Sequence, residues 1–254
     1  MIYSMDFELI RILLAAGMLS SASFLDIRKR EVSDLLWVVF GILAFVVYAL
    51  EFTYGMTFNL LTTAVPISIA VAISFGVYKS GLFGGADALA LMMLAVILPT
   101  FDGGFMNQIL PGSSEFLLHP ITPLIVLSNA VIFSLSQIGF NVASNTKYAW
   151  KNPGKLFEGL EHESLSRKIV ASIVGHRSSS RPGYAFPIED MVDGRRQFSF
   201  APGSAETAEY ESRSNVWVTP GTPFLVFMLA GFVAMFVVGD ISALIFSEIR
   251  SFFG

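Results

Sequence analysis

"SGLFGGADALALMMLAVILP", residues 80–99, passes from a glycine cluster through Asp87 into an unbroken apolar run. A carboxylate carried into hydrocarbon costs about 2.5–3.5 kcal/mol on insertion scales unless it faces protein or water. Whether this stretch is a membrane helix with a functional acid at its head, or a soluble core helix with an acidic cap, decides the fold. The rest of the chain settles which.

The chain has 254 residues, of which 54% are hydrophobic and 14% charged, with a mean hydropathy of +0.64. Soluble domains carry about 25% charged residues, so the composition is that of an integral membrane protein embedded in a lipid bilayer. A formal net charge of −4 gives no basis for nucleic-acid binding. The absence of cysteine excludes disulfides, thiolate zinc sites and cysteine nucleophiles. His119, His162 and His176 lack the helical spacing of a metal-binding pair, so neither a metal nor a cofactor is expected. "MIYSMDFELIRILL" does not read as a secretory signal, because Asp6 and Glu8 stand where basic residues belong. Arg11 is expected to pair with Glu8 one turn away.

A spanning helix needs about 20 predominantly apolar residues. Six stretches meet or approach that length: 7–25, 34–52, 59–78, 86–101, 121–141 and 222–247. Six crossings place residues 26–33, 79–85 and 142–219 on one side, together with 14 of the 16 lysines and arginines. The positive-inside rule makes that side cytoplasmic and puts both chain ends outside. The predicted fold is therefore an all-α polytopic membrane protein with six transmembrane helices, N-out and C-out. A small α+β cytoplasmic insert precedes the last helix. The domain limits are 1–141 for the first five helices, 142–219 for the soluble insert and 220–254 for the last span.

Within the insert, residues 155–175 show helical spacing of Leu156, Leu160, Ile169 and Ile173, with Gly175 as the stop. Asp193-Gly194 marks a hairpin. Residues 204–214 read as a polar linker.

This topology turns one unusual carboxylate into two. Asp26 closes an out-to-in span and Asp87 opens an in-to-out span, so both fall at the cytoplasmic face. Two close carboxylates of low dielectric surroundings share a proton and titrate as a pair. The ionised member draws a proton from water while the protonated member donates to a carbonyl, which is peptide hydrolysis without a covalent intermediate. Gly81, Gly84 and Gly85 are expected to permit positive φ and close backbone approach before Asp87. Read as plain structure, Asp87 is a helix cap and Asp26 a partner for Arg28, Lys29 or Arg30. Asp34 reads as a helix cap or as a contact for a basic substrate.

"FGGAD" (83–87), taken with "LDIRKREVSD" (25–34), resembles the GxGD-type membrane aspartic proteases. Within them it is most similar to the type IV prepilin peptidases, in particular the archaeal preflagellin (prearchaellin) peptidases. Gly84, Gly85 and Ala86 lead into Asp87, with Ala86 in place of the second glycine of the stricter motif. "VWVTPGTPFLVFML" (216–229) also resembles the family's approach to its last helix. The resemblance implies catalytic roles for Asp26 and Asp87 and removal of short basic leader peptides from pilin-like or archaellin precursors at the cytoplasmic face of the plasma membrane. Glu158, Glu161 and Glu163 are candidates for contact with the basic leader. Bacterial relatives often add a methyltransferase activity with a tetracysteine region, which a cysteine-free chain does not support. A presenilin-like protease that cuts within the bilayer is an alternative. An ion-coupled transporter with intramembrane carboxylates is another.

Overall fold

The structure is a computed structural model and describes residues 2–56, 59–81, 83–101, 103, 119–180, 183–200 and 210–253. Asp102, most of the 102–120 loop, Arg181, the first part of the 204–214 segment and the side chain of Asp6 lie outside the described residues. The chain divides into two compact units, one of Met1–Ser134 with Pro223–Gly254 and the other of Leu135–Thr222.

The first unit is helical. It contains α1 (Ile2–Lys29), α2 (Asp34–Thr53), α3 (Leu60–Lys79), α4 (Gly85–Ile97), α5 (Thr122–Ser134), and, after the second unit, α8 (Phe224–Val237) and α9 (Ile241–Phe253). Ser33 caps α2 by accepting from the Leu35 amide, and Asn59 caps α3 by accepting from Leu61. Among the described residues, Phe7–Lys29, Asp34–Thr53, Leu61–Lys79 and Thr122–Lys151 are long and apolar enough to cross a membrane. The pair α8 and α9, bent by 59°, brings the total to as many as five, and Gly85–Ile97 is a shorter apolar helix. The protein is thus a mostly helical, multi-pass membrane protein.

The core joins α1, α2, α4, α5 and α8 through residues such as Met18, Leu91, Leu94, Ile125, Met228 and Phe232. In lipid, apolar faces gain little from meeting one another, so close packing at small residues holds helices together. The most extensive pair, α5 with α8, depends on this. A Cβ on Gly231 would stand 2.6 Å from the Val126 carbonyl oxygen and 2.9 Å from the Ala130 nitrogen. Asn129 seals the same contact, donating to the carbonyls of Gly231 and Gly239 and accepting from the Ile241 amide.

Two features of this unit go beyond the sequence reading. Arg11 directs its guanidinium at Glu51, 40 residues away, with contacts of 2.8 and 2.6 Å, and donates to the Ile97 carbonyl at 2.7 Å. Paired in this way, both charges are satisfied inside the bundle and tie α1, α2 and the end of α4 together. The last span is broken: Gly239 takes φ 86, and the Asp240 carboxylate accepts from the Ser242 amide to start α9.

The second unit holds α6 (Ser136–Lys151), α7 (Leu165–Val174) and five strands: β1 (His176–Ser178), β2 (Ala185–Pro187), β3 (Glu189–Val192), β4 (Arg195–Phe198) and β5 (Val216–Pro220). β5 is the centre of an antiparallel sheet ordered β1-β5-β2, pairing Arg177 with Trp217 and Phe186 with Thr219. β3 and β4 form the expected hairpin, with Asp193 at φ 51 and Gly194 at φ 75, the backbone of a two-residue turn that matches strand twist. Trp217 is fully buried, stacked on Phe157 at 5.2 Å and edge-on to Phe198.

The helix expected over 155–175 begins only at Leu165. Pro153 and Gly154 interrupt the chain, and Gly159 at φ 83 keeps residues 155–163 in successive turns that place Leu156, Phe157 and Leu160 against Trp217. "VWVTP" is a strand rather than a helix approach, and Pro223 is the N-cap of α8.

Candidate active site

Asp26 lies in the last turn of α1, half-buried. Two features fix that turn. The Ser23 hydroxyl donates to the Leu225 carbonyl at 2.9 Å, joining α1 to the first turn of α8. The Arg30 amide closes the helix on the Asp26 carbonyl at 3.0 Å, with Arg30 itself in the left-handed region at φ 58. Its guanidinium acts electrostatically on the Asp26 carboxylate.

Asp87 occupies the third position of α4. A five-residue link, 80–84, turns the chain after α3, with Gly81 at φ 71. Gly84 is the N-cap, and its amide donates to Asp87 Oδ2 at 3.2 Å, one half of a capping box. The acid is half-buried, while Ala88, Ala90 and Leu91 beyond it are buried in the core. Phe83 packs on Phe224 with ring centroids 4.5 Å apart, holding the link against the start of α8.

The expectation of positive φ before Asp87 holds for Gly81 and not for Gly84, which sits at φ −70. The glycine at 84 therefore serves space, not backbone freedom. A Cβ there would lie 3.5 Å from Asp87 Oδ2. Ala86 packs against the core beside it.

The two aspartates come from helix ends of opposite direction, and the Asp26 carboxylate acts electrostatically on Asp87. Such a pair can activate a water and protonate a leaving group without another cofactor. Among the described residues no group of three or more His, Asp or Glu side chains could hold a metal ion.

The remaining candidates are placed as follows. Asp34 is exposed at the first position of α2, where Ser33 supplies the cap. Glu158 and Glu161 are exposed in the second unit, Glu161 accepting from the Gly159 amide at 3.0 Å. Glu163 is engaged internally, accepting from the Phe198 amide at 2.7 Å and pairing with Arg167. Ser23 was not singled out by sequence, and Arg30 only as one of three possible partners of Asp26. A serine one turn before an acid is a common helix pattern, and Arg30 is one of three consecutive basic residues.

Helices of membrane length make this a multi-pass membrane protein, with Asp26 and Asp87 as candidate acids at two of its helix ends. Comparison with known proteins gives the particular family. The type IV leader peptidase family matches residues 13–138, and the family described as archaeal peptidase A24 C-terminus, type II, matches residues 201–241. The chain is 21% identical over 226 residues to a preflagellin peptidase of Methanocaldococcus jannaschii, covering 86% of this chain and 89% of that one. It is 23% identical to a preflagellin peptidase of Methanococcus voltae and 22% identical to one of Methanococcus maripaludis, covering 86% of this chain in each case. The chain is similar to the type IV leader peptidase family over residues 13–138, and it is a peptidase. That likeness favours the protease over the transporter reading.

Proposed function

We propose that this protein is an aspartic endopeptidase that removes the short basic leader from archaellin (preflagellin) precursors, with Asp26 and Asp87 as its catalytic pair. What supports this reading is the placement of two half-buried carboxylates at the last turn of α1 and the first turn of α4, helices that pack in one core. The names of the relatives support the substrate class.

In the first step the ionised carboxylate takes a proton from water as its oxygen bonds to the scissile carbonyl carbon. The protonated carboxylate gives its proton to the carbonyl oxygen. Collapse of the tetrahedral diol breaks the C–N bond: the proton taken from water passes to the leaving nitrogen, and one diol hydroxyl returns its proton to the other carboxylate. The products are a carboxylic acid and an amine, and the pair is returned with one proton to share.

The same proposal gives the membrane six crossings, counting α4 as a short one, with both chain ends outside and the site at the cytoplasmic edge. The positive charges of 28–30 and Lys79 support that orientation. Residues 142–219 form the cytoplasmic insert in this reading.

The test is cleavage of a membrane-embedded preflagellin by the wild type, Asp26→Asn and Asp87→Asn, each checked by thermal melting. Both variants are expected to lose cleavage by at least about a thousandfold while melting like the wild type, since removing a general acid or base costs about 10²–10⁴ and the two act as a unit. Wild-type rates in either folded variant would rule out the dyad.

A further inference from the structure

The second unit contains a cavity that peptide hydrolysis does not use. It measures about 380 Å³ and lies between the C-terminal half of α6 and β1. Lys147 and Lys151 enter from α6 one helical turn apart, and Arg177 enters from β1, with Asn152, Ser178 and Ser179 adding neutral polar groups. Three basic residues line this cavity, and among the described residues no carboxylate does.

The charges are not consumed by the fold. Lys147 and Lys151 are exposed and form no ion pair with a described residue. Arg177 is only 2% exposed. Its Nε donates to Asn215 Oδ1 at 2.9 Å, and its Nη1 donates to the carbonyls of Lys155, Leu156 and Glu158. Its Nη2 has no hydrogen-bond partner among the described residues. Every one of these acceptors is neutral, so the guanidinium is oriented by the fold and left without a counter-charge in contact. Burying such a charge is costly, and an anion beside it offsets the cost. Two exposed lysines, an arginine of fixed orientation and the exposed Ser179 are a lining suited to phosphate oxygens.

The sequence around the cavity points to where such an anion is found. Lys147, Tyr148, Trp150 and Lys151 follow an apolar span, the combination that anchors a helix at lipid headgroup level. Trp150 is 89% exposed.

We propose that this cavity is a phosphate-binding site, filled by the phosphate of an anionic phospholipid headgroup or by free inorganic phosphate. The site is separate from the aspartate pair and stands whether or not that pair is catalytic.

The experiment uses the full chain in detergent and reads two probes. Native mass spectrometry measures retention of phosphatidylglycerol against phosphatidylcholine. Thermal melting measures stabilisation by sodium phosphate against sodium chloride at equal ionic strength. Each is run on the wild type, on Lys147→Gln/Lys151→Gln, and on Ser179→Asp, which changes the charge of the lining by a different exposed residue. Preferential retention of phosphatidylglycerol by the wild type, weakened about tenfold or more in both variants, establishes the lipid headgroup as the ligand. Stabilisation by phosphate that both variants lose, without a phospholipid preference, establishes free phosphate. If the wild type shows neither effect, or the variants respond to both probes as the wild type does, the proposal is overturned.

Discussion

Gly84 is the residue where shape and chemistry separate most cleanly. Its φ of −70 suits any residue, and a Cβ would meet only the Asp87 carboxylate oxygen, at an ordinary contact distance of 3.5 Å. Gly84→Ala is therefore expected to fold and melt like the wild type. The methyl group fills the space beside the carboxylate that a substrate carbonyl and a water must share. Small misplacements at a reacting centre are costly, up to about a hundredfold for 1 Å. We expect kcat/KM for preflagellin cleavage to fall about tenfold or more in Gly84→Ala, read alongside an unchanged thermal melt. A wild-type rate would mean that substrate approaches Asp87 from another side. The acids themselves were legible in sequence because a carboxylate in an apolar run demands a reason. Ser23 was not legible, because its hydrogen bond to Leu225 spans 202 residues and nothing local marks it.

Helices and strands were readable to the extent that their patterns were local. The hairpin at Asp193-Gly194 follows from two residues that tolerate positive φ, and the structure has it. The strand Val216–Pro220 lies in the stretch read by resemblance as the approach to the last helix, and its four apolar and β-branched residues before a proline do not mark a strand on their own. Its pairing with β1 and β2 decides for strand. The break at Gly239 was equally hidden, since hydropathy continues across it. Packing sets the sharpest expectations at this scale. Glu51→Ala leaves Arg11 buried without its partner, and loss of one member of a buried ion pair costs about 3–5 kcal/mol. The melting temperature in detergent should fall accordingly, with Glu51→Gln intermediate because an amide still accepts from the guanidinium. Gly231→Ala pushes a methyl group into the α5 backbone and should cost about 1–3 kcal/mol by the same measurement. In the second unit, His176 lies half-buried with its ring edge-on to Phe140. Burial holds its pKa below the ordinary 6.5. The unfolded chain then takes up this proton first as the pH falls, so the contribution to stability is complete above about pH 6.5 and is lost progressively below it. The acid-side decline in melting temperature should be shallower in His176→Gln than in the wild type; equal slopes would remove His176 from the acid response.

For the whole molecule, the topology is the link between the site and its substrate. A leader rich in positive charge stays on the cytoplasmic side of a membrane, so an enzyme that cuts it needs its acids on that side. In the proposed topology the positive-inside rule puts Arg28, Lys29, Arg30 and Lys79 there with Asp26 and Asp87. Because the protein has no cysteine, a single introduced thiol reports its own side without background. Glu31→Cys follows α1 directly after the basic residues, and Ser251→Cys lies near the end of α9; both positions are exposed. In intact cells or right-side-out vesicles, a membrane-impermeant maleimide is expected to label Ser251→Cys readily and Glu31→Cys only after the membrane is opened. The reverse pattern would put the aspartate pair outside, away from any precursor held by its leader on the cytoplasmic side. Labelling of both positions from one side would mean an even number of crossings between them. In that case α4, only 13 residues long at Gly85–Ile97, is the first crossing to give up. At about 1.5 Å per residue it reaches some 20 Å, well short of the roughly 30 Å hydrocarbon core.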